Sequence, residues 1–425
     1  MKTPALFLVF CACAAAETRI LTLKQALDLA LEQNPDLVIA RLDEQRARDQ
    51  VIIARDPFSP KVFAGSGLAW TYGFPTSIEG QAPSIMEART NMSLFDRPQA
   101  YLIAQARENL KGSAFDLAAK QEEVAFRVAS LFLDARTAAL SLTAAQREAE
   151  DLTRVQQLVD ARVQDGRELP IESTRARVAV LRTKQRAEAL GLDALTAESS
   201  LAQVLGMGIN DRVQADQEEP IRLVAPDSED ATIAQALESS PELKRLQSNL
   251  QAKQFEVKSY KAQRLPKVDL VAQYSLLGKY NNYQQFFSHF QRNNIELGAS
   301  FSIPVLAGRA SGAYASQAEA DAAKIRAEIE RTRARIAGDL RRAFQDVRRA
   351  DAARDLARAD LDLARDQIAI DLAQMEEGRV APAKTEQDRA TENEKWLALY
   401  DAQTTAERAR LSLLQHTGTL LAALR

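Results

Sequence analysis

The sequence Ile-Glu-Leu-Gly-Ala-Ser-Phe-Ser-Ile at residues 295–303 places an apolar side chain at every second position. Because successive side chains of a β-strand point to opposite faces of a sheet, this pattern predicts a strand with one apolar and one polar face. Three other segments have a similar character, at residues 61–72, 85–94 and 267–277. Strands of about ten residues have the length of a bilayer crossing in a β-barrel.

Four strands are too few to close a barrel. An open sheet edge in hydrocarbon would leave backbone N–H and C=O groups without partners, which is costly. If these strands lie in a membrane, copies of the chain must therefore close the barrel together. The alternative is a soluble sheet that packs against helices. In the barrel, polar side chains would line a water-filled lumen, and we expect the lumen to contain Glu87, Arg89, Asn91, Asp269, Gln273, Glu296 and Ser300.

The chain also repeats itself. The sequence ALEQNPDL at residues 30–37 recurs as ALESSPEL at residues 236–243, and Gly166 has a counterpart in Gly378, 212 residues later. The first match has an offset of 206 residues and the second an offset of 212. Two constant offsets held over so many residues indicate that the chain contains two copies of one unit. In each copy we expect two shorter helices, two strands, a very long helix, a turn and a return helix.

The long helices lack internal prolines, and at 1.5 Å per residue each would span on the order of 100 Å. Between the copies, residues 209–230 are rich in proline, glycine and acid, so we expect an irregular, solvated connector. The first repeat, 17–208, has predicted strands 61–72 and 85–94, long helix 98–165 and return helix 170–205; the second, 231–425, has strands 267–277 and 295–303, long helix 309–377 and return helix 382–417.

Residues 1–16 predict a secretory signal peptide, because Lys2 precedes an apolar run that ends in small residues. Both cysteines, Cys11 and Cys13, lie in this segment, so the mature chain would contain none. The alternative is that Cys13 carries a lipid, although the residues before it match such a site poorly. No later stretch predicts a transmembrane helix.

Composition argues against several classes of function. A net charge of -3 provides no basic field for nucleic acid. The two histidines, His289 and His416, are far apart in the sequence, and we expect neither a metal site nor a cofactor. Acidic residues of the second long helix, including Asp371, alternate with arginines, which is typical of a solvated, ion-paired helix. We therefore expect no catalytic residues.

Each long helix ends at a glycine, and a proline starts the return helix, which is ordinary helix punctuation. The same pattern also predicts two exposed tips at which a partner docks. The tip residues are Gly166, Arg167, Glu168, Leu169 and Pro170 in the first repeat and Gly378, Arg379, Val380, Ala381 and Pro382 in the second.

These features resemble the TolC-type outer-membrane efflux channel family over essentially the whole mature chain. The resemblance rests on residues 21–23 (LTL) and 34–37 (NPDL), the Pro-Lys-Val entries to two strands, the Gly-Arg tips and, above all, the duplication. It implies a mainly α fold with a small β part, and a homotrimer with a 12-stranded β-barrel continued by a helical barrel. The implied location is the outer membrane of a Gram-negative cell, with a large periplasmic helical part.

The resemblance further implies a passive duct in a tripartite efflux or type I secretion system. Its partners would be a periplasmic adaptor at the tips, an inner-membrane pump and outer-membrane lipid. The family often places acids six and nine residues after the second tip glycine, at a closed aperture. Here these positions are Lys384 and Gln387, with Asp388 nearby, and the first repeat keeps Glu172 at the place of Lys384. This departure from the family pattern puts an acidic, cation-sensitive ring at the aperture in doubt for this chain, although Glu386 and Asp388 lie nearby.

Two other classes of function are weighed against this interpretation. A periplasmic coiled-coil adaptor or structural protein would have similar long helices, but it needs no strands with polar faces. An exported enzyme is the third alternative, and no phosphate-binding loop or nucleophile motif favours it.

Overall fold

The computed structural model describes residues 18–67, 84–208, 210–216, 223–224, 226, 228–277, 291–305, 309–376 and 382–425. Helices form most of this part of the chain. In chain order the elements are β1 (Thr18–Leu21), α1 (Leu23–Gln33), α2 (Pro35–Arg55), a 3₁₀ turn (Asp56–Phe58), β2 (Lys61–Gly67), β3 (Ser84–Phe95), α3 (Arg97–Gln164), α4 (Pro170–Val204), β4 (Arg212–Ala215), α5 (Glu229–Ser239), α6 (Pro241–Ala262), β5 (Lys267–Leu277), β6 (Asn293–Ser302), α7 (Arg309–Glu376), α8 (Pro382–Thr417) and α9 (Leu420–Leu424).

The two long helices each contain 68 residues, and their ends lie within one residue of the predicted ends. Strand β5 has the predicted bounds. Strand β6 begins at Asn293 rather than at residue 295, because pairing with β5 continues beyond the alternating stretch. Strand β2 occupies Lys61–Gly67, and the rest of that predicted strand, 68–72, lies outside the described residues, as does the predicted signal peptide.

The prediction of an irregular connector at 209–230 was wrong in part. Strand β4 lies within it and pairs in parallel with β1, in the register Thr18 opposite Arg212. Val213 and Ala215 of β4 are buried. Four residues are too few for an alternating pattern to be recognised, and the partner strand is far away in the sequence.

One helix, α3, has the length and composition of a membrane span, although the sequence predicts no transmembrane helix. One 18-residue window of α3 has a mean hydropathy of 1.2, which is enough to cross a membrane by length and composition alone. A third of this window is buried within the structure, and core helices of soluble proteins pass the same test. We therefore assign no membrane crossing to α3.

The described residues form two compact units, and each contains parts of both sequence repeats. The first unit is drawn from Met1–Ala40, Ala118–Ser240 and Arg333–Arg425. Its core includes fully buried large side chains from α3, α4 and α8, and ion pairs link the helices on its surface. The core side chains include Phe132, Leu133, Leu201, Leu205, Leu411 and Leu413, and the ion pairs include Asp134 with Arg408, Asp351 with Arg410 and Asp360 with Lys395.

Helix ends in the first unit are closed by glycines in the left-handed region. Gly206, with φ of 80°, ends α4, and Gly418, with φ of 69°, ends α8. In each case the backbone N–H groups of the glycine and the next residue donate back to carbonyls of the last turn, the Schellman pattern. Asn34 fixes the start of α2 beside this site: its side chain is buried, accepts from the backbone of Asp36, and donates to the Val204 carbonyl at 2.7 Å.

The second unit consists of Arg41–Leu117 and Pro241–Thr332. It contains the four-stranded sheet and the helices next to it. Polar contacts join α3 to α6, including Gln105 Nε2 to Glu256 Oε2 at 2.9 Å and Arg245 Nε to Asp116 Oδ1 at 3.0 Å.

Candidate functional site

The four long strands form one antiparallel sheet in the order β2-β3-β5-β6. Strands β2 and β6 are therefore its two edges. Arg89 lies opposite Gln273, and Gln273 lies opposite Glu296. Residues directly opposite each other in an antiparallel pair project from the same face, so these three side chains share a face.

All seven residues predicted to line a lumen lie on this polar face. Asp269 lies opposite Ser300, and alternate positions of a strand share a face, which places Glu87 and Asn91 with Arg89. Phe63 and Val271 also lie on this face, opposite Arg89 and Asn91. The predicted lumen set is thus brought together on one side of the sheet by the strand register, although the face is not uniformly polar.

Hydrogen bonds and ion pairs connect side chains on the polar face. Ser93 Oγ donates to Asp269 Oδ1 at 2.7 Å, and Lys267 Nζ lies 3.3 Å from Asp269 Oδ2. Asn294 Nδ2 donates to Glu296 Oε1 at 3.2 Å. Such pairs suit a wetted surface on which charges of both signs are present.

The opposite face of the sheet is mostly apolar, although Thr90 and Asn293 also lie on it. Leu297 lies opposite Ala272, and Ile295 lies opposite Tyr274. A bulge after Ser93 places Phe95 opposite Val268 and keeps the phenyl ring on this face. Ile295 and Leu297 are both 77% exposed. A contiguous apolar face whose side chains remain exposed in the single chain indicates contact with an apolar environment.

The first tip has the geometry that its sequence predicts. Gly166 has a φ of 68°, its N–H donates to the Val163 carbonyl at 3.0 Å, and the Arg167 N–H donates to the Arg162 carbonyl at 2.8 Å. Pro170 is the first residue of α4, and the Leu169 side chain is 67% exposed. In the second tip, Pro382 begins α8, whereas Gly378, Arg379, Val380 and Ala381 lie outside the described residues.

The predicted aperture residues lie in the first turns of the return helices. Glu172 pairs with Arg175 on the same helix. Lys384 Nζ lies 3.0 Å from Asp371 Oδ2 on α7, Asp388 is half-buried, and Gln387 is exposed.

Asp371 is the residue that sequence reasoning missed. It was predicted to be solvated, but its side chain is only 1% exposed. Helix α7 carries many acidic residues, and the sequence gives no sign that this one faces α8. Within the part of the chain that the structure describes, no group of three or more His, Cys, Asp or Glu side chains could hold a metal ion.

Comparison with known proteins gives matches over most of the chain. A family model described as outer membrane efflux protein matches twice, over residues 26–207 and 232–419. The chain is 29% identical over 351 residues to protein CyaE of Bordetella pertussis, in an alignment that covers 78% of this chain and 70% of the relative. The family match confirms the resemblance inferred from the sequence.

Solved structures with a similar fold include two bacterial outer membrane channels. CmeC of Campylobacter jejuni matches with a TM-score of 0.74 and 14% identity, covering 94% of this chain and 86% of that chain. The open state of MtrE of Neisseria gonorrhoeae matches with a TM-score of 0.74 and 16% identity, covering 94% and 89%. At these identities the likeness is one of fold.

The family is one of channels and not a class of enzyme, in agreement with the sequence interpretation. Its two matches fall on both halves of the chain and together exceed half of its length. The chain therefore belongs to the outer membrane efflux protein family and functions as an outer-membrane efflux channel.

Proposed function

We propose that three copies of the chain close one barrel in the outer membrane, each contributing its four-stranded sheet. The observation that carries this proposal is the segregation of the two faces in a sheet with two open edges. Edge strand β6 is exposed at every residue. Pairing β6 of one copy with β2 of the next removes all edges, as a membrane barrel requires. The apolar face then contacts lipid, and the polar face lines the lumen.

The helices continue this barrel as a periplasmic tunnel, and the chain acts as a passive duct. We assign the remaining steps to partners: an inner-membrane pump supplies energy, and a periplasmic adaptor connects the pump to the helix tips in a tripartite efflux or type I secretion system. The coiled-coil adaptor alternative is less well supported, because it gives no role to a sheet with one wet and one apolar face.

The assembly is tested by purification from outer membranes in mild detergent. Light scattering combined with refractive-index detection should give the mass of three chains. A folded monomer in the soluble periplasmic fraction, with its strands intact by circular dichroism, would contradict the proposal.

The tip residues are proposed to form the docking surface for the adaptor, with Leu169 as an exposed apolar contact. Gly166→Val should distort the first tip, because a left-handed φ costs a β-branched residue roughly 1 kcal/mol or more. Among the described residues, no atom other than those of its chain neighbours lies within 4 Å of the position of its Cβ, so the effect should remain local. We expect a normal trimer, with reduced export and reduced cross-linking to the adaptor in cells.

Gly338→Val is the matched control, since Gly338 lies inside α7 and also has open space around its Cβ position. It should preserve export. If Gly166→Val exports normally, or if it abolishes the trimer, the tip is not the docking surface.

A further inference from the structure

A buried carboxylate joins the two helices that lead to the second tip. Asp371 of α7 is 1% exposed, and Lys384 of α8 places its Nζ 3.0 Å from Oδ2 and 3.2 Å from Oδ1. Gln367, one turn earlier on α7, donates from Nε2 to Asp371 Oδ1 at 3.0 Å. A carboxylate removed from water to this extent requires a cation and hydrogen-bond donors, and both are present.

A second carboxyl group lies against the first. Asp388 follows Lys384 by one turn of α8, and its carboxyl lies within hydrogen-bonding reach of that of Asp371. Two ionised carboxylates offer only acceptors, so a hydrogen bond between the two groups forms only when one of them carries a proton. Among the described residues, no donor is hydrogen-bonded to the buried Oδ2 of Asp371 or to that of Asp388, and Lys384 is the cation that acts on both carboxyls. Nearby Asp366 and Arg389 are exposed to solvent.

The two carboxyls differ in proton affinity. The hydrogen bond from Asp388, together with Lys384, holds the pKa of Asp371 below its ordinary value. The hydrogen bond to Asp371, together with burial, raises the pKa of Asp388. Because the two groups interact, they titrate as a pair that keeps one proton between those two pKa values.

The sign of the pH dependence follows from these directions. As the pH falls through the lowered pKa of Asp371, both carboxyls become neutral and the ion pair with Lys384 is lost. As the pH rises through the raised pKa of Asp388, two negative charges face each other. The contact between α7 and α8 is therefore most stable between the two values and weaker on either side.

The first repeat shows that the hairpin does not need this polar cluster. At the offset of 212 residues that relates Gly166 to Gly378, the positions of Gln367, Asp371 and Asp388 correspond to Val155, Val159 and Ala176. These three residues are half-buried in α3 and α4. The first hairpin thus has apolar side chains at the places where the second has these polar ones, and a hydrogen bond from Ser173 to Asp160 joins its helices instead.

We propose that Asp371, Lys384 and Asp388 form a proton-dependent latch, which holds α8 against α7 beside the second tip while the carboxyl pair carries one proton and releases it when both carboxyls ionise. The proposal rests on the proposed function, because the latch would regulate one of the two tips at which the adaptor docks. The latch gives the second hairpin a response to periplasmic pH that the first lacks.

The test measures distances between helices in the purified full chain by pulsed electron paramagnetic resonance. Spin labels are placed at Ile370→Cys and Gln387→Cys, which are exposed positions on α7 and α8. The matched pair in the first hairpin is Leu158→Cys with Arg175→Cys, at the equivalent positions. Each pair is measured at a series of pH values from about 5 to about 8, because a raised pKa moves the titration of a carboxyl toward neutral pH.

We expect the distance distribution of the second hairpin to broaden and lengthen as the pH rises, while that of the first hairpin stays unchanged. Asp388→Asn keeps a hydrogen-bond donor that cannot ionise, so the distance should stay short as the pH rises to about 8. The triple variant Gln367→Val, Asp371→Val, Asp388→Ala copies the first hairpin and should also lose the pH response.

An unchanged distribution in the wild-type second hairpin would overturn the latch, as would an Asp388→Asn protein that broadens like the wild type. The measurement needs neither pump nor adaptor. A channel that shows the pH response but does not support export would therefore contradict the proposed function alone, and a channel that exports without the response would contradict the latch alone.

Discussion

Gly206→Ala should lower the free energy of unfolding by about 2–4 kcal/mol, because it combines a left-handed backbone with steric overlap. Gly206 has a φ of 80°, and a Cβ at this position would lie 2.6 Å from the carbonyl oxygen of Gln33. The obstacle is backbone at the end of α1, which cannot rotate away as a side chain can. We expect a lower midpoint in denaturant titrations followed by helical circular dichroism.

Gly166→Ala is the control for this prediction. Gly166 has a similar φ of 68°, but in the part of the chain that the structure describes only its own chain neighbours come within 4 Å of its Cβ position. It should therefore cost only the backbone strain, roughly 1 kcal/mol. Equal destabilisation by the two substitutions would mean that the close approach of Gly206 to Gln33 contributes nothing to the loss in the free energy of unfolding.

Leu297→Arg is expected to cost about 2–4 kcal/mol if the side chain lies near the bilayer midplane, since a guanidinium on the lipid face loses its hydration. Leu297 is on the apolar face, opposite Ala272. The yield of trimer in the outer membrane should fall accordingly, and unfolding from lipid vesicles should require less denaturant.

Ser300→Arg provides the comparison on the same strand. Ser300 lies on the polar face, opposite Asp269, so a cation there would have water and a carboxylate nearby. We expect near-normal assembly. If both arginines were tolerated equally, or if Ser300→Arg were the more harmful, the assignment of faces to lipid and lumen would be wrong.

Most of the fold could be predicted from the sequence, because the main helices and strands are long enough to show a clear periodicity. Sixty-eight residues of α7 without an internal proline leave little room for another interpretation, and the alternation in β6 decides which side chains share a face. Strands β1 and β4 could not be predicted, since each has four residues and the pair joins distant segments.

The site was predictable to the extent that it depends on local rules. Alternation predicted that the seven proposed lumen residues share one face of the sheet, and the place of Gly166 after α3 predicted its left-handed backbone. The burial of Asp371 depends instead on which side of α7 meets α8. That choice is made by packing between helices, and a periodic run of charges does not reveal it.

The exposed edges of the sheet have a genetic consequence. In the proposed trimer every barrel contains three copies of β2 and β6, and a single defective edge leaves the ring open. If a variant with a damaged edge strand is co-expressed in equal amount with the wild type and mixes randomly, only about one barrel in eight is free of it. Variants in β2 or β6 should therefore be dominant negative, whereas variants that merely unfold the monomer should be recessive.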